Sequence, residues 1–284
     1  MRGCALILFL LCLLGNLSAC SAEQSRIDDY FTDPQSRALV TAAVDGNTKE
    51  IERLVASGVN VNARGKDGVT SLIWAIYHLK KAGYQALLEH GADPNMQVQN
   101  GTLIGDSVME TAARMQDSSY LKLALQHRGN PNLVNKSSYY DYNPLISAIM
   151  ADRKTNVDLL IQAGADINAT VDGFSGQTPL DFAVGEQNYE IAYRLLQAGA
   201  NYRITDPYQA AAGKGSNPIV WGLEHGDLDP ASDRYKWREK VIQFLNAHGV
   251  VVSTKPPPAM CTQDLGKGVK VIAPCNQLKP APQN

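Results

Sequence analysis

The residue types that carry most enzyme chemistry are present in this sequence, but their spacing assembles no recognisable site. Asp227 and Asp229 stand two residues apart, as in calcium loops, yet the flanking oxygen ligands of such a loop are missing. Residues 173–176 read Gly-Phe-Ser-Gly, one residue short of the Gly-x-Ser-x-Gly turn around a nucleophilic serine. Residues 213–216 read Gly-Lys-Gly-Ser, the wrong order for a phosphate-binding loop. We therefore expect a solvated acidic loop at 227–229 and no catalytic residue, metal or cofactor.

The histidines form no catalytic constellation either. His90 and His248 directly precede a glycine that is expected to end a helix, and His127 lies two residues before another such glycine. A positive side chain at the C-terminal end of a helix interacts favourably with the helix dipole. These three histidines are therefore interpreted as structural, and the sequence does not predict an enzyme.

A glycine-led segment recurs five times along the chain and sets its organisation. It reads Gly-Val-Asn-Val-Asn from residue 58, Gly-Ala-Asp-Pro-Asn from 91, Gly-Asn-Pro-Asn from 129, Gly-Ala-Asp-Ile-Asn from 164 and Gly-Ala-Asn from 199. Glycines that recur at intervals of 33, 38, 35 and 35 residues indicate a solenoid of stacked units rather than a globule around one centre. The question about function therefore becomes which face of the solenoid binds a partner.

The best-preserved unit, residues 175–200, shows why each repeat predicts two helices. Thr178 is a natural N-cap, and Pro179 suits the first helical position because its missing N–H is not needed there. A second helix is predicted from the apolar residues Ile191, Ala192, Leu195 and Leu196, and Gly199 ends it, since glycine adopts the left-handed conformation after a helix at low cost. The unit is therefore predicted to be helix, turn, helix and an extended finger loop.

This unit resembles the ankyrin repeat, with its Thr-Pro-Leu start, small residues in the first helix, a Leu-Leu pair in the second and a closing Gly-Ala-x-x-Asn. The resemblance covers about residues 35 to 252 and implies an all-α ankyrin-repeat solenoid of about six helix-turn-helix units with finger loops. The third unit departs from the pattern by an extra stretch at 98–106, and 50 residues separate Gly199 from Gly249. Counting back 16 residues from each glycine predicts a central alanine in each first helix, namely Ala42, Ala75, Ala113, Ala148 and Ala183.

The N-terminus resembles the signal of a bacterial lipoprotein. An apolar run at residues 5–14 is too short to span a bilayer, which needs about 20 residues. Leu17-Ser18-Ala19-Cys20 resembles a lipobox, which implies a signal peptide at 1–19, a lipidated Cys20 and a tether at 20–34. An ordinary secretory signal cleaved after Ala19 and an uncleaved anchor stay open as alternatives.

The lipobox resemblance also implies a compartment. Ser21 follows the lipidated cysteine, which in the bacterial sorting rule permits export, so we expect a lipid-anchored periplasmic protein at the outer membrane. In that oxidising compartment, Cys261 and Cys275 form an even pair and predict a disulfide in a Pro-rich tail at 253–284; two free thiols are the alternative. One short strand is expected at 269–272, inside the disulfide loop. The formal net charge of −2 does not favour a nucleic-acid partner.

In the ankyrin architecture, the concave face is formed by the fingers and by outward positions of each first helix. Aromatic residues recur at those positions, and large aromatics exposed on a concave surface favour a partner that covers them. Packing of some of these rings between units is the alternative. The predicted partner-binding residues are Trp74, Tyr77, His78, Phe182 and Trp221 on the helices, and Tyr139, Tyr140, Tyr142 and Phe174 on the fingers.

The resemblance also implies a function. Ankyrin-repeat lipoproteins of the bacterial envelope include proteins similar to immunity partners of type VI secretion toxins, among them phospholipase effectors. By this analogy the chain, a monomer when unbound, occludes the active site of a secreted effector toxin. The alternatives are an envelope scaffold or an ankyrin protein of oxidative-stress protection and, less favoured, a ligand carrier or an enzyme.

Overall fold

A computed structural model describes residues 26–101, 105–136, 141–170, 176–203, 217–225, 228–252, 260–264 and 270–274. Within these ranges six helix pairs follow one another along the chain, which confirms the predicted all-α solenoid. The pairs are α1 (Pro34–Val44) with α2 (Thr48–Ala56), α3 (Ser71–Tyr77) with α4 (Lys81–Glu89), α5 (Val108–Arg114) with α6 (Ser119–Gln126), α7 (Pro144–Met150) with α8 (Lys154–Gln162), α9 (Pro179–Gly185) with α10 (Tyr189–Gln197), and α11 (Pro218–His225) with α12 (Asp233–Ala247).

The first helix of each unit begins at a side-chain cap. Thr70, Asn143 and Thr178 each accept a hydrogen bond from the backbone N–H three residues further on. At Thr178 the Asp181 carboxylate also accepts from the Thr178 N–H, so two helix-end donors are satisfied together. These caps fix the register in which each first helix presents its side chains to the fingers.

Recurring asparagines connect each finger to the next unit. The Asn62 side chain donates to the Gly91 carbonyl at 3.2 Å and accepts from the Asp93 N–H at 2.8 Å. Asn95 and Asn132 repeat both bonds one and two units later. The asparagine that closes each repeat therefore couples neighbouring units, which explains its recurrence in the sequence.

The third unit is shifted by one residue from the register that its glycine predicts. Arg128 has the left-handed backbone (φ 68°) that the repeat glycines have elsewhere, and the Asn95 side chain donates to its carbonyl. Gly129 takes the following position, where an added Cβ would clash with the Met109 sulfur. The prediction of Ala113 as the central alanine is therefore wrong, because Ala112 lies five residues after the Ser107 cap, as Ala183 does after Thr178.

One continuous hydrophobic core runs through the described units, and each first helix packs on the next. The helices approach closely at Gly83, where an added Cβ would clash with the Ala43 carbonyl. Residues 26–30 form a further helical segment, and Ile27 and Phe31 are buried in the core. The packed structure therefore extends N-terminally into the segment predicted as a tether at 20–34.

Two short antiparallel ladders complete the described structure. In the third finger β1 (Asn135–Lys136) pairs with β2 (Asp141–Tyr142). In the tail β3 (Met260–Asp264) pairs with β4 (Lys270–Pro274), with Cys261 opposite Ala273. The expectation of one strand at 269–272 is therefore corrected to a two-stranded hairpin.

Several predictions fall on residues outside the described ranges. Cys20 and Cys275 are among them, so lipidation and the Cys261–Cys275 disulfide stay predictions. Among the helices that the structure describes, none has the length and apolar character needed to cross a bilayer.

Candidate partner-binding site

The first helices and the fingers form one face of the solenoid, here called the finger face. On this face a cavity of about 390 Å³ lies between α3 and the first two fingers. Val69, Val98 and Trp74 are buried at this cavity, and Tyr30 and Tyr77 are half-buried beside it. The cavity is named the aromatic pocket; Arg26, Asp67, His78, Asn100 and Gly101 complete its lining.

Trp74 lies within this pocket rather than on an exposed surface. Only 5% of the residue is exposed, and its ring contacts Tyr30, Phe31 and His78 at centroid distances of 5.2, 5.8 and 4.6 Å. The expectation of an exposed Trp74 is therefore wrong, because residues 26–31 fold over the position. Its indole N–H is buried and has no hydrogen-bond partner among the described residues.

Tyr77 and His78 form walls of the aromatic pocket. The Tyr77 hydroxyl donates to an Asp106 carboxylate oxygen at 2.8 Å. Burial of the phenol and the neighbouring Asp106 carboxylate raise the pKa of Tyr77, so it stays neutral at physiological pH. The His78 ring stacks on Trp74 with an interplanar angle of 23°. Both predicted residues therefore lie at one cavity with Trp74, and their binding role stays a prediction.

Next to the aromatic pocket lies a buried polar network that the sequence analysis missed. The Glu110 residue is 2% exposed, and its carboxylate accepts from Arg114, Asn135 and Ser147 at 2.8, 2.5 and 3.2 Å. Desolvation by burial raises the pKa of Glu110, against the opposing effect of Arg114. Ser107-x-x-Glu110 has the spacing of a helix-capping pattern, which was the available signal for a residue held at this position.

The middle of the finger face is closed by an aromatic contact between a finger and a helix. Phe182 is 8% exposed, so the expectation that it is exposed is also wrong. Tyr142, at the end of the third finger, contacts the Phe182 ring edge-on with centroids 6.3 Å apart. Tyr142 is half-buried, so this contact joins a partly accessible ring of the finger to the buried Phe182 ring of α9.

Trp221, by contrast, is exposed. It lies on α11 at the position that Trp74 and Phe182 occupy in their units, four residues after the helix cap, and 57% of it is accessible. The exposure predicted from the repeat register therefore holds at Trp221. The remaining predicted finger residues, Tyr139, Tyr140 and Phe174, lie outside the described ranges.

The described residues bring together no group of three or more His, Cys, Asp or Glu side chains that could hold a metal ion. The polar groups beside the aromatic pocket are mostly bonded to one another, as Tyr77 to Asp106 and Arg114 to Glu110. This arrangement supports recognition of a surface by aromatic contact and a few polar groups.

Comparison with known proteins identifies the class. A family model of ankyrin repeats, three copies long, matches residues 7–98 and 108–206, which together are more than half of the chain. The chain therefore belongs to the ankyrin-repeat family. Its members are typically non-catalytic and bind other proteins, so protein–protein interaction is the function that the family supports.

Individual relatives give a narrower comparison. Protein PhlB of Serratia liquefaciens is 33% identical over 184 residues, which are 64% of this chain and 77% of PhlB. The nuclear factor NF-kappa-B p105 subunit of Gallus gallus is 28% identical over 69% of this chain, but only 20% of that protein is covered. The mitochondrial disaggregase of Bos taurus is 34% identical over 54% of this chain and 22% of that protein. The match therefore covers only about a fifth of each of these two long relatives.

Proposed function

We propose that this chain is a periplasm-facing lipoprotein that binds a protein partner through its finger face. The exposure of Trp221 is the main observation that supports partner binding at the finger face. A tryptophan that is 57% exposed, at a position where Trp74 and Phe182 are buried, is a candidate hot spot because tryptophan contributes strongly when a partner covers it. The aromatic pocket and Tyr142 lie on the same face and extend the proposed contact.

The proposed partner is a secreted effector toxin, of the phospholipase type delivered by type VI secretion, and the chain is its immunity protein. The lipobox at residues 17–20 and the bacterial relative PhlB support this more specific proposal. A broad concave face that covers an active site would neutralise the toxin without chemistry of its own. Lipid anchoring at Cys20 would hold the inhibitor in the compartment where such a toxin acts.

Co-expression with a phospholipase-type effector of the type VI secretion system, directed to the periplasm, tests the proposal. We expect the full chain to protect cells from that effector in the periplasm and to bind it one to one. Trp221→Ala should weaken binding by at least about tenfold, since a hot-spot truncation costs about 2 kcal/mol or more. Leu79→Ala is the matched control, because Leu79 is also exposed but lies in the turn between α3 and α4.

Two outcomes contradict the proposal. If the chain neither binds nor protects against the effector, the immunity role is wrong. If Trp221→Ala and Leu79→Ala both bind the effector with the affinity of the wild-type chain, the finger face is not the contact surface. Capture of several resident envelope proteins in place of one effector would favour the scaffold alternative.

The anchor has a separate test. Metabolic labelling with palmitate should label the wild-type chain and fail to label Cys20→Ala, and the variant should leave the outer-membrane fraction. An unlabelled wild-type chain would contradict the lipoprotein proposal and leave the binding proposal standing.

A further inference from the structure

The aromatic pocket combines electron-rich ring faces with one carboxylate. Tyr30, Trp74 and Tyr77 contribute three rings, and Tyr30 and Trp74 meet at an angle of 59° with centroids 5.2 Å apart. Asp67 contributes a carboxylate to the same cavity. Aromatic faces and a carboxylate around a small cavity favour a cation, and above all a planar guanidinium.

Asp67 is fixed in place and its charge is not neutralised within the described structure. Its carbonyl accepts hydrogen bonds from the Gln99 and Asn100 N–H groups at 2.7 and 3.2 Å, which ties the first finger to the second. Among the residues that the structure describes, none donates a hydrogen bond or forms an ion pair with the Asp67 carboxylate. That carboxylate lies beside Gly101, where an added Cβ would come within 3.4 Å of it. The pocket therefore holds an acid in a set position that is available to a partner.

We infer that the aromatic pocket receives a single arginine side chain from the protein partner, with the guanidinium stacked on the rings and paired with Asp67. This inference rests on the proposed function and adds the chemistry of one contact. The cavity of about 390 Å³ accommodates one long side chain, and burial within it strengthens both the ion pair and the cation–π contact.

The basic groups around the pocket restrict what can enter. The Lys66 ammonium lies 5.6 Å from the centroid of the Tyr30 ring, so this ring already attracts a cation on the first finger. Arg26 also lines the cavity and is exposed. These two positive groups at or beside the cavity repel a run of basic residues. The partner segment is therefore one arginine flanked by neutral or acidic residues.

Titration with defined probes tests the pocket without the toxin. The probes are N-acetyl-arginine methylamide and its neutral isostere, N-acetyl-citrulline methylamide, added to the full chain at low salt. Tryptophan fluorescence is followed in a Trp221→Phe, Trp237→Phe background, so that Trp74 reports alone. We expect saturable quenching by the arginine probe and binding of the citrulline probe at least about tenfold weaker.

Asp67→Asn should reduce affinity for the arginine probe by about tenfold, and asparagine tolerates the left-handed backbone of Asp67 (φ 58°). Asp166→Asn is the matched control, because it removes one negative charge from a distant finger. Its hydrogen bond to the Asn168 N–H is one that Asn60 already makes to Asn62 in the first finger. Thermal melts of both variants check that folding is retained.

Equal binding of the two probes would overturn the inference and identify an apolar side-chain pocket. Absence of saturable quenching by the arginine probe, or equal affinity in Asp67→Asn, would overturn it as well. These failures leave the proposed function intact if Trp221→Ala still weakens effector binding. Conversely, a chain that binds no effector can still bind the arginine probe.

Discussion

The third and fifth units share one plan of two helices and a finger but use different residues at equivalent positions. In the fifth unit the Asp181 carboxylate accepts hydrogen bonds from the N–H and the hydroxyl of the helix cap Thr178, at 2.8 and 2.7 Å. In the third unit Glu110 stands at the same place, but its carboxylate instead accepts from Asn135 in the following finger and from Ser147 of the fourth unit. Ser107 still caps the helix, so this irregular repeat keeps the cap and redirects only the carboxylate to contacts beyond its own helix pair.

The largest expected effect is a difference in stability between variants that remove Glu110 and Asp181. Glu110→Ala leaves the Ser147 hydroxyl without this acceptor and Asn135 with only its 3.3 Å bond to Asp106, and we expect a loss of about 2–4 kcal/mol in the free energy of unfolding. Asp181→Ala removes a cap contact and should cost about 1 kcal/mol. Urea denaturation of both variants measures the difference. Equal losses would mean that the inter-unit network is no stronger than a helix cap.

The second effect concerns Gly129. An added methyl group there would clash with the Met109 sulfur and lie 2.8 Å from the Ala124 carbonyl, so Gly129→Ala should destabilise the chain by about 1–3 kcal/mol. The fifth unit already has Ala200 at the equivalent position, which makes the bond to Leu195 that Gly129 makes to Ala124. A neutral Gly129→Ala would show that Met109 moves aside and that this close contact does not restrict the position.

A smaller effect of opposite sign is expected at Arg128. Its left-handed backbone disfavours a side chain, so Arg128→Gly should stabilise the chain by up to about 1 kcal/mol. The reciprocal change in the fifth unit, Gly199→Arg (φ 93°), should destabilise it by about 1–2 kcal/mol. Thermal denaturation of these two variants tests whether Arg128 occupies the position of the repeat glycine. If both substitutions change stability in the same direction, this register is wrong.

The smallest effect is a dependence on pH. Burial raises the pKa of Glu110 in the folded chain above its unfolded value of about 4.3, so the folded state holds this proton more tightly. The resulting stabilisation is complete below the unfolded pKa and is lost as pH rises through the folded pKa. Wild type should therefore gain stability relative to Glu110→Gln as pH falls towards 4. A difference independent of pH would show that Glu110 has an ordinary pKa.

Most of the fold was predictable because its signals are local. Thr178 caps a helix and Gly199 ends one, and both signals depend on residues only a few positions apart. The recurring asparagines mark the fingers by their regular spacing, although the bond from the Asn201 N–H to Asn168 spans 33 residues. The shift at Arg128 had a signal too, since the third glycine-led segment is one residue shorter than the second. Counting from the glycine alone overlooked it.

The candidate site was less predictable because burial depends on distant residues. Repeat register gives Trp74 and Trp221 the same position, yet residues 26–31 cover Trp74 and leave it 5% exposed. The pairing of Tyr77 with Asp106 spans 29 residues, and that of Glu110 with Ser147 spans 37. No local sequence pattern predicts such contacts, so the aromatic pocket and the polar network beside it could be identified only in the structure.

The bonds between fingers also have a mechanical consequence. Short asparagine arms join the earlier units, but at the last junction Arg203 takes that place and its guanidinium donates to the His248 carbonyl at 2.9 Å. A long arm with several rotatable bonds tolerates a change of angle that a short amide does not. We expect the angle between the fifth and sixth units to vary more than the angles between earlier units. Amide exchange should therefore be faster in the sixth unit than in the fourth, and Trp221 should move relative to a bound partner.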